Sequence, residues 1–191
     1  KFWWSTLDFE KPQVREHLLR ITEDVARRYD VDGIEIDYLR YPMFFRPNLD
    51  GKPVTKDQLD ILTEFQRSIR QMTEREGAAR GRPILIAARV PMAVAQCRNV
   101  GIDIERWLRE DLLDLMTLGK GLSSSLPVSA VIGNAQLLDD PAPGEMSSTH
   151  GGNPFCAQVA LANLQVLEDE CLIAASATTG KLLLDELNKL K

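Results

Sequence analysis

Leu115-Met116-Thr117-Leu118-Gly119-Lys120-Gly121-Leu122-Ser123-Ser124-Ser125-Leu126-Pro127 is the stretch on which the fold of this chain turns. A short apolar run ends in a lysine set between two glycines, and a Ser-rich turn then leads to a second apolar run, Val128 to Ile132. The pattern predicts a strand and a tight turn, with the Lys120 amine just past the strand's end and another apolar run after the turn. On residue chemistry alone that is a turn carrying an exposed cation, and the GxxxxGK[ST] phosphate loop is not matched. A lysine held at a strand end in an apolar pocket has a second use, because it can lose its proton and form a Schiff base with a carbonyl cofactor.

Upstream of this stretch, helices and strands alternate. Pro12 to Tyr29 carries Val14, Leu18, Ile21, Val25 and Tyr29 at steps of three and four, which predicts an amphipathic helix with Pro in its first turn. Gly33 to Asp37 reads as a strand, Asp57 to Glu76 as a second helix, Ile84 to Arg89 as a strand, Asp103 to Glu110 as a short helix and Leu112 to Leu118 as another strand. Such alternation predicts βα units around a parallel sheet. Downstream, the loop Asp139-Asp140-Pro141-Ala142-Pro143-Gly144 precedes Asn153-Pro154, a cap and first-turn pair that opens a helix with Ala157, Ala160, Leu161, Leu164 and Leu167 as its buried face. A last helix is expected from Leu172 to Leu190.

The two sides of the stretch differ in composition. Residues 1–116 hold fifteen Arg and four Lys, whereas residues 117–191 hold four Lys and no Arg. This places a candidate seam within 114–119 and predicts two domains, 1–116 and 117–191. Over 191 residues the chain is 44% apolar and carries a net charge of -5, which suits an ordinary globular protein and argues against nucleic acid as a partner. No apolar run has the roughly 20 residues that span a bilayer, so a membrane partner is not expected. The start, Lys1-Phe2-Trp3-Trp4-Ser5, has neither Met nor a signal peptide's apolar stretch, and reads as beginning inside a domain. Cys97, Cys156 and Cys171 are odd in number and form no metal-ligand set, so free thiols in a reducing, cytoplasmic compartment are expected.

In the strand around Ile34 and Ile36 the alternation of side chains puts Glu35 and Asp37 together on one face. If the sheet closed into a barrel, Asp37 would stand at the carboxyl end of a strand, with Tyr38, Arg40 and Tyr41 on the following loop and Arg89 ending its own strand in the same way. Glu35 and Asp37 could then supply the acid and the nucleophile or base of a glycoside hydrolase, with Arg40, Tyr41 and Arg89 contacting a glycan. The plainer alternative is a structural ion pair between a carboxylate and Arg40 or Arg89. Trp3, Trp4 and Trp107 could stack on sugar rings, although in a short piece an aromatic is more often core.

Two resemblances follow from these motifs. Asp30-Val31-Asp32-Gly33-Ile34-Glu35-Ile36-Asp37-Tyr38-Leu39-Arg40-Tyr41-Pro42, with Asp8-Phe9 before it and Gly101 to Trp107 after it, resembles glycoside-hydrolase-like TIM barrels over residues 1–116. The core is also similar to a strand signature of family 18 chitinases, but Leu39 stands where those enzymes place their catalytic acid, so a chitinase mechanism is not implied. Eight strands close such a barrel and about three can be read here, so the piece is a partial (β/α) barrel.

From Asp114 to Leu190 the chain resembles class III pyridoxal-phosphate aminotransferases of fold type I, through Leu115 to Gly121 and through Ser148-Thr149-His150-Gly151-Gly152-Asn153-Pro154. The resemblance implies that Lys120 corresponds to the lysine that forms the internal aldimine with pyridoxal 5'-phosphate and later moves the proton. It also implies that Thr149 binds the cofactor phosphate across a homodimer interface, and that the substrates are a small amino donor and an oxo-acid or aldehyde acceptor. His150 is expected to be a turn residue rather than a catalyst. The family's Gly-Ser phosphate loop, stacking aromatic and pyridinium-pairing Asp all precede the lysine, where this chain has the barrel-like piece. The expectation is therefore an α/β chain made of two partial pieces, without effective transamination, and with apolar patches left exposed by both half-built cores.

Overall fold

The segments predicted from their apolar spacing are regular elements in the computed structural model, which describes residues 7–142, 144–145, 149 and 151–190. In order they are α1 (Pro12–Arg28), β1 (Gly33–Asp37), α2 (Arg46–Leu49), α3 (Lys56–Arg80), β2 (Leu85–Arg89), α4 (Val94–Asn99), α5 (Ile104–Arg109), β3 (Leu115–Leu118), β4 (Ala130–Gly133), α6 (Ala135–Leu138), α7 (Pro154–Asp169) and α8 (Leu172–Asn188). The chain divides into two compact units, one of Lys1–Leu118 with Ala130–Pro141, the other of Gly119–Ser129 with Ala142–Lys191.

The first unit is built on a four-stranded sheet in the order β1-β2-β3-β4. β1, β2 and β3 are parallel, as the βα alternation predicts, and β4 pairs antiparallel to β3. The barrel-like arrangement expected of residues 1–116 is not supported: the parallel strands continue into an antiparallel neighbour, and the sheet is open. The α/β class itself stands.

Thr55 and Gln58 start α3 with a reciprocal capping box, in which the Gln58 N–H donates to Thr55 Oγ1 at 3.2 Å and the Thr55 N–H to Gln58 Oε1 at 3.1 Å. Gly81, at φ +77°, ends it. Between them Leu62, Phe65, Ile69 and Met72 recur at steps of three and four and are buried with Ile86 and Ala88 of β2. Most polar groups in this core are paired, with Arg70 Nε on α3 the exception among the described residues. Tyr38 Oη donates to Gln66 Oε1 at 2.7 Å, Gln66 Nε2 donates to the Leu112 carbonyl at 3.0 Å, and Trp107 Nε1 donates to Thr63 Oγ1 at 3.0 Å. Burial pushes the Tyr38 phenol pKa up and that of the Cys97 thiol to about 11, so neither ionises near neutrality. Gly101, at φ +98°, lies where an added Cβ would come within 2.6 Å of the buried Phe45 ring.

Ion pairs lace the outer side of α3. Arg27 on α1 donates two hydrogen bonds of 3.1 Å to the Glu76 carboxylate, and Arg106 on α5 reaches Glu110 at 2.9 Å, with Arg67 as second donor. Chiefly through Arg27 and Arg106 respectively, Glu76 and Glu110 are held below their ordinary value of 4.5. A carboxylate whose pKa is lower in the folded than in the unfolded chain contributes stability above the unfolded value and loses it as pH falls through the folded one. Denaturant titrations should therefore show stability falling as pH is lowered below about 4.5, with a shallower fall in Glu76→Gln and Glu110→Gln.

In the second unit, Asn153 caps α7 as predicted, its Oδ1 accepting from the N–H groups of Phe155 and Cys156 at 3.0 and 3.4 Å. The inward face is the expected one at Ala160, Leu164 and Leu167 but not at Ala157 and Leu161. Ala160 is buried and Cys156, Val159, Asn163, Leu164 and Leu167 are half-buried, while Ala157 and Leu161 face out. The inward stripe contains a polar residue, Asn163, with a task described below, and a purely apolar pattern passes over it. From Ile173 to Asn188 every residue of α8 is exposed, including Leu182, Leu183, Leu184 and Leu187, as the expectation of uncovered apolar surface anticipates. No described helix is long and apolar enough to cross a membrane.

Candidate functional site

Two groups of polar residues are candidates, one in each unit. In the first unit, strand register sets Asp37 opposite Arg89 and Arg89 opposite Thr117, on the sheet face turned away from Ile86 and Ala88. Arg89 reaches both carboxylates, Glu35 Oε2 at 3.3 Å and Asp37 Oδ2 at 3.2 Å, and Thr117 Oγ1 donates to Glu35 Oε1 at 2.6 Å. Asp37 Oδ1 also accepts from the backbone N–H groups of Leu39 and Arg40 at 3.0 Å each, which ties down the loop after β1. Glu35, Asp37 and Arg89 are thus together, as the strand alternation requires, in the ion pair of the plainer alternative. One guanidinium occupies both carboxylates. The group is more than a third exposed and so contributes roughly 0–1 kcal/mol to stability.

Arg40 enters through its backbone and is exposed; Tyr41 is exposed at the rim of a cleft of about 300 Å³ lined by Phe9, Ile36, Asp37, Tyr38 and Phe44 among others. Trp107 is fully buried against Tyr38, with ring centroids 5.2 Å apart, and so is core rather than a sugar platform. Trp3, Trp4 and His150 lie outside the described residues.

In the second unit the loop after β3 has a defined backbone. Lys120 adopts φ +60° and Ser124 φ +64°. Leu122 and Ser123 are buried, and Ser123 Oγ accepts from the Leu126 N–H at 3.0 Å and donates to the Leu126 carbonyl. Asn163, one turn past the buried Ala160 on α7, donates from its Nδ2 to the carbonyls of Gly121 and Leu122, both at 3.1 Å. The Lys120 side chain is exposed rather than held in an apolar pocket, and it makes no ion pair or hydrogen bond among the described residues. Thr149 is an exposed turn residue. The family resemblance pointed to Lys120 and Thr149 but not to Asn163, whose signal was a single polar position among the apolar ones of α7.

Residues 105–191 match the family model described as Aminotransferase class-III. The match begins in α5, upstream of the composition seam, and takes in the whole Lys120 loop. An ornithine aminotransferase of Staphylococcus carnosus is 47% identical over 79 residues, 41% of this chain and 20% of the relative. A probable 4-aminobutyrate aminotransferase of Bacillus subtilis is 44% identical over 73 residues, 38% of this chain and 17% of the relative. The chain thus spans about a fifth of the length of these curated relatives. Among solved structures, acetylornithine aminotransferase from Elizabethkingia anophelis matches with a TM-score of 0.54 at 25% identity, over 90% of this chain and 38% of that one. A transaminase from Virgibacillus matches with a TM-score of 0.59 at 20% identity, over 95% and 37%. The fold likeness therefore reaches well upstream of the lysine loop, and it supports neither a glycoside-hydrolase barrel nor a hybrid of two folds.

Proposed function

We propose that residues 115–191 are the cofactor-lysine segment of a class III aminotransferase, in which Lys120 takes pyridoxal 5'-phosphate, and that the chain as it stands does not sustain effective transamination. The observation that carries the proposal is the family match across 105–191, which spans a loop after β3 presenting one exposed lysine that is unpaired among the described residues. The residues present fit the point of attachment. The Lys120 side chain is exposed and has no partner among the described residues, so its amine, once deprotonated, can attack a carbonyl. Thr149, exposed in its turn, would hold the cofactor phosphate through its hydroxyl, from a partner copy in a homodimer.

Bound through a lysine, pyridoxal phosphate supplies the electron sink of amino-group transfer, and the protein supplies orientation. Here the orienting groups are few. Phe155 is the single aromatic in residues 117–191 and is exposed, and no carboxylate pairs with a group of the lysine loop among the described residues. The substrates would be a small amine such as ornithine or 4-aminobutyrate, the donors in the relatives' names, and an oxo-acid or aldehyde acceptor.

Absorbance of the full chain mixed with pyridoxal phosphate, followed by addition of ornithine and an oxo acid, tests both halves. A spectral change lost in Lys120→Ala, without sustained amino transfer, is the expected result. Sustained transfer would overturn the proposed inactivity, and an identical change in Lys120→Ala would overturn the role of the lysine.

A further inference from the structure

A residue bearing a Cβ at φ +60° sits in backbone that costs roughly 1–2 kcal/mol, and it stays there only where its surroundings hold it. Lys120 is such a residue. Its hold comes from α7. The one NH2 group of Asn163 has two hydrogens, and the two carbonyls that follow Lys120, those of Gly121 and Leu122, each lie 3.1 Å from its nitrogen. The half-buried Asn163 spends both its donors on this loop, and it does so from the inward stripe of the helix, where an apolar residue would otherwise pack. Leu122 and Ser123, buried next to these carbonyls, anchor the other side of the turn.

We propose that Asn163 is a positioning residue, a two-donor clamp that fixes the peptide planes after Lys120 and so sets the direction in which the Lys120 amine meets a carbonyl compound. The inference rests on Lys120 being the cofactor lysine, as proposed above. Removing the donors while keeping the side chain's bulk, as in Asn163→Leu, leaves two carbonyls to turn toward water and frees the turn to rotate. Asn163→Asp goes further, because it sets a carboxylate against two carbonyl oxygens. Asn163→Gln retains both donors on a longer arm.

The test is labelling of the full chain with pyridoxal 5'-phosphate across a range of pH, reduction with borohydride, and peptide-resolved yields at Lys120, with the exposed Lys181 and Lys189 as internal references. In the parent, Lys120 should be labelled in preference to both. Asn163→Leu and Asn163→Asp should lower the preference by about tenfold, the scale of one or two lost hydrogen bonds, and Asn163→Gln should restore a large part of it. Circular dichroism checks that α7 remains helical, and if Asp prevents folding the Leu and Gln pair carries the comparison. A preference unchanged in the Leu variant, or lost equally in Leu and Gln, would overturn the role of Asn163 alone. No preference for Lys120 in the parent would overturn the proposed function beneath it.

Discussion

Trp107→Ala should destabilise the first unit by about 3–5 kcal/mol, the usual range for removing a large buried aromatic. The indole is fully buried, packs on Tyr38, and donates to Thr63 on α3, so one side chain joins α5, the loop after β1 and the long helix. Thr63 keeps its own bond to the Leu59 carbonyl at 2.8 Å, which confines the loss mainly to volume and contact. With total stabilities of single domains near 5–15 kcal/mol, such a loss is a large fraction of what is available. The urea midpoint should fall by about 1–3 M. A midpoint lowered by no more than a surface substitution would show that the indole is not the junction described here.

The second large effect concerns α8. An isolated apolar helix face in water is an association site, and Leu182, Leu183 and Leu187 are each more than half exposed. The full chain should bind an apolar fluorescent dye strongly and sediment as a mixture of species. Changing these three leucines to Gln keeps a good helix former at each position while removing the apolar surface. Dye fluorescence should drop several-fold and the small species should dominate, while the unfolding transition of the first unit shifts by less than about 0.5 kcal/mol. Unchanged dye binding in the triple variant would place the exposed apolar surface elsewhere.

Much of the fold could be read before any coordinates, and the exceptions have physical causes. Strands β1, β2 and β3 and helices α3, α5, α7 and α8 lie within a few residues of their predicted positions, because each combines a periodic or continuous apolar run with Gly, Pro or a cap at its ends. The helices α2, α4 and α6 are too short for periodicity to register. In α1, Val14, Leu18 and Val25 of the predicted face are half-buried, but Ile21 and Tyr29 are 49% and 62% exposed, and Leu19, Thr22 and Ala26 turn inward as well.

The candidate site divides in the same way. Glu35 and Asp37 share a face because strand side chains alternate, so their neighbourhood was readable; the partnership with Thr117 was not, because it depends on the register of β2 against β3. The barrel expectation came from local likeness around Ile34 and Asp37 and assumed that parallel neighbours continue. An antiparallel β4 next to β3 is a long-range choice that no short motif encodes. Lys120 and its glycines were visible as a turn, but Asn163 lies more than forty residues downstream and shows itself only when α7 is seen against the loop.

In the proposed function Lys120 is a cofactor lysine and not simply a cation on a turn. The most direct measurement is peptide mapping of the full chain after exposure to pyridoxal 5'-phosphate near neutral pH and reduction with borohydride. One dominant labelled peptide containing Lys120, lost in Lys120→Ala without compensating label elsewhere, is the predicted result. Label spread over Lys120, Lys181 and Lys189 in proportion to exposure would contradict it and leave the Gly-Lys-Gly loop as a turn without a ligand.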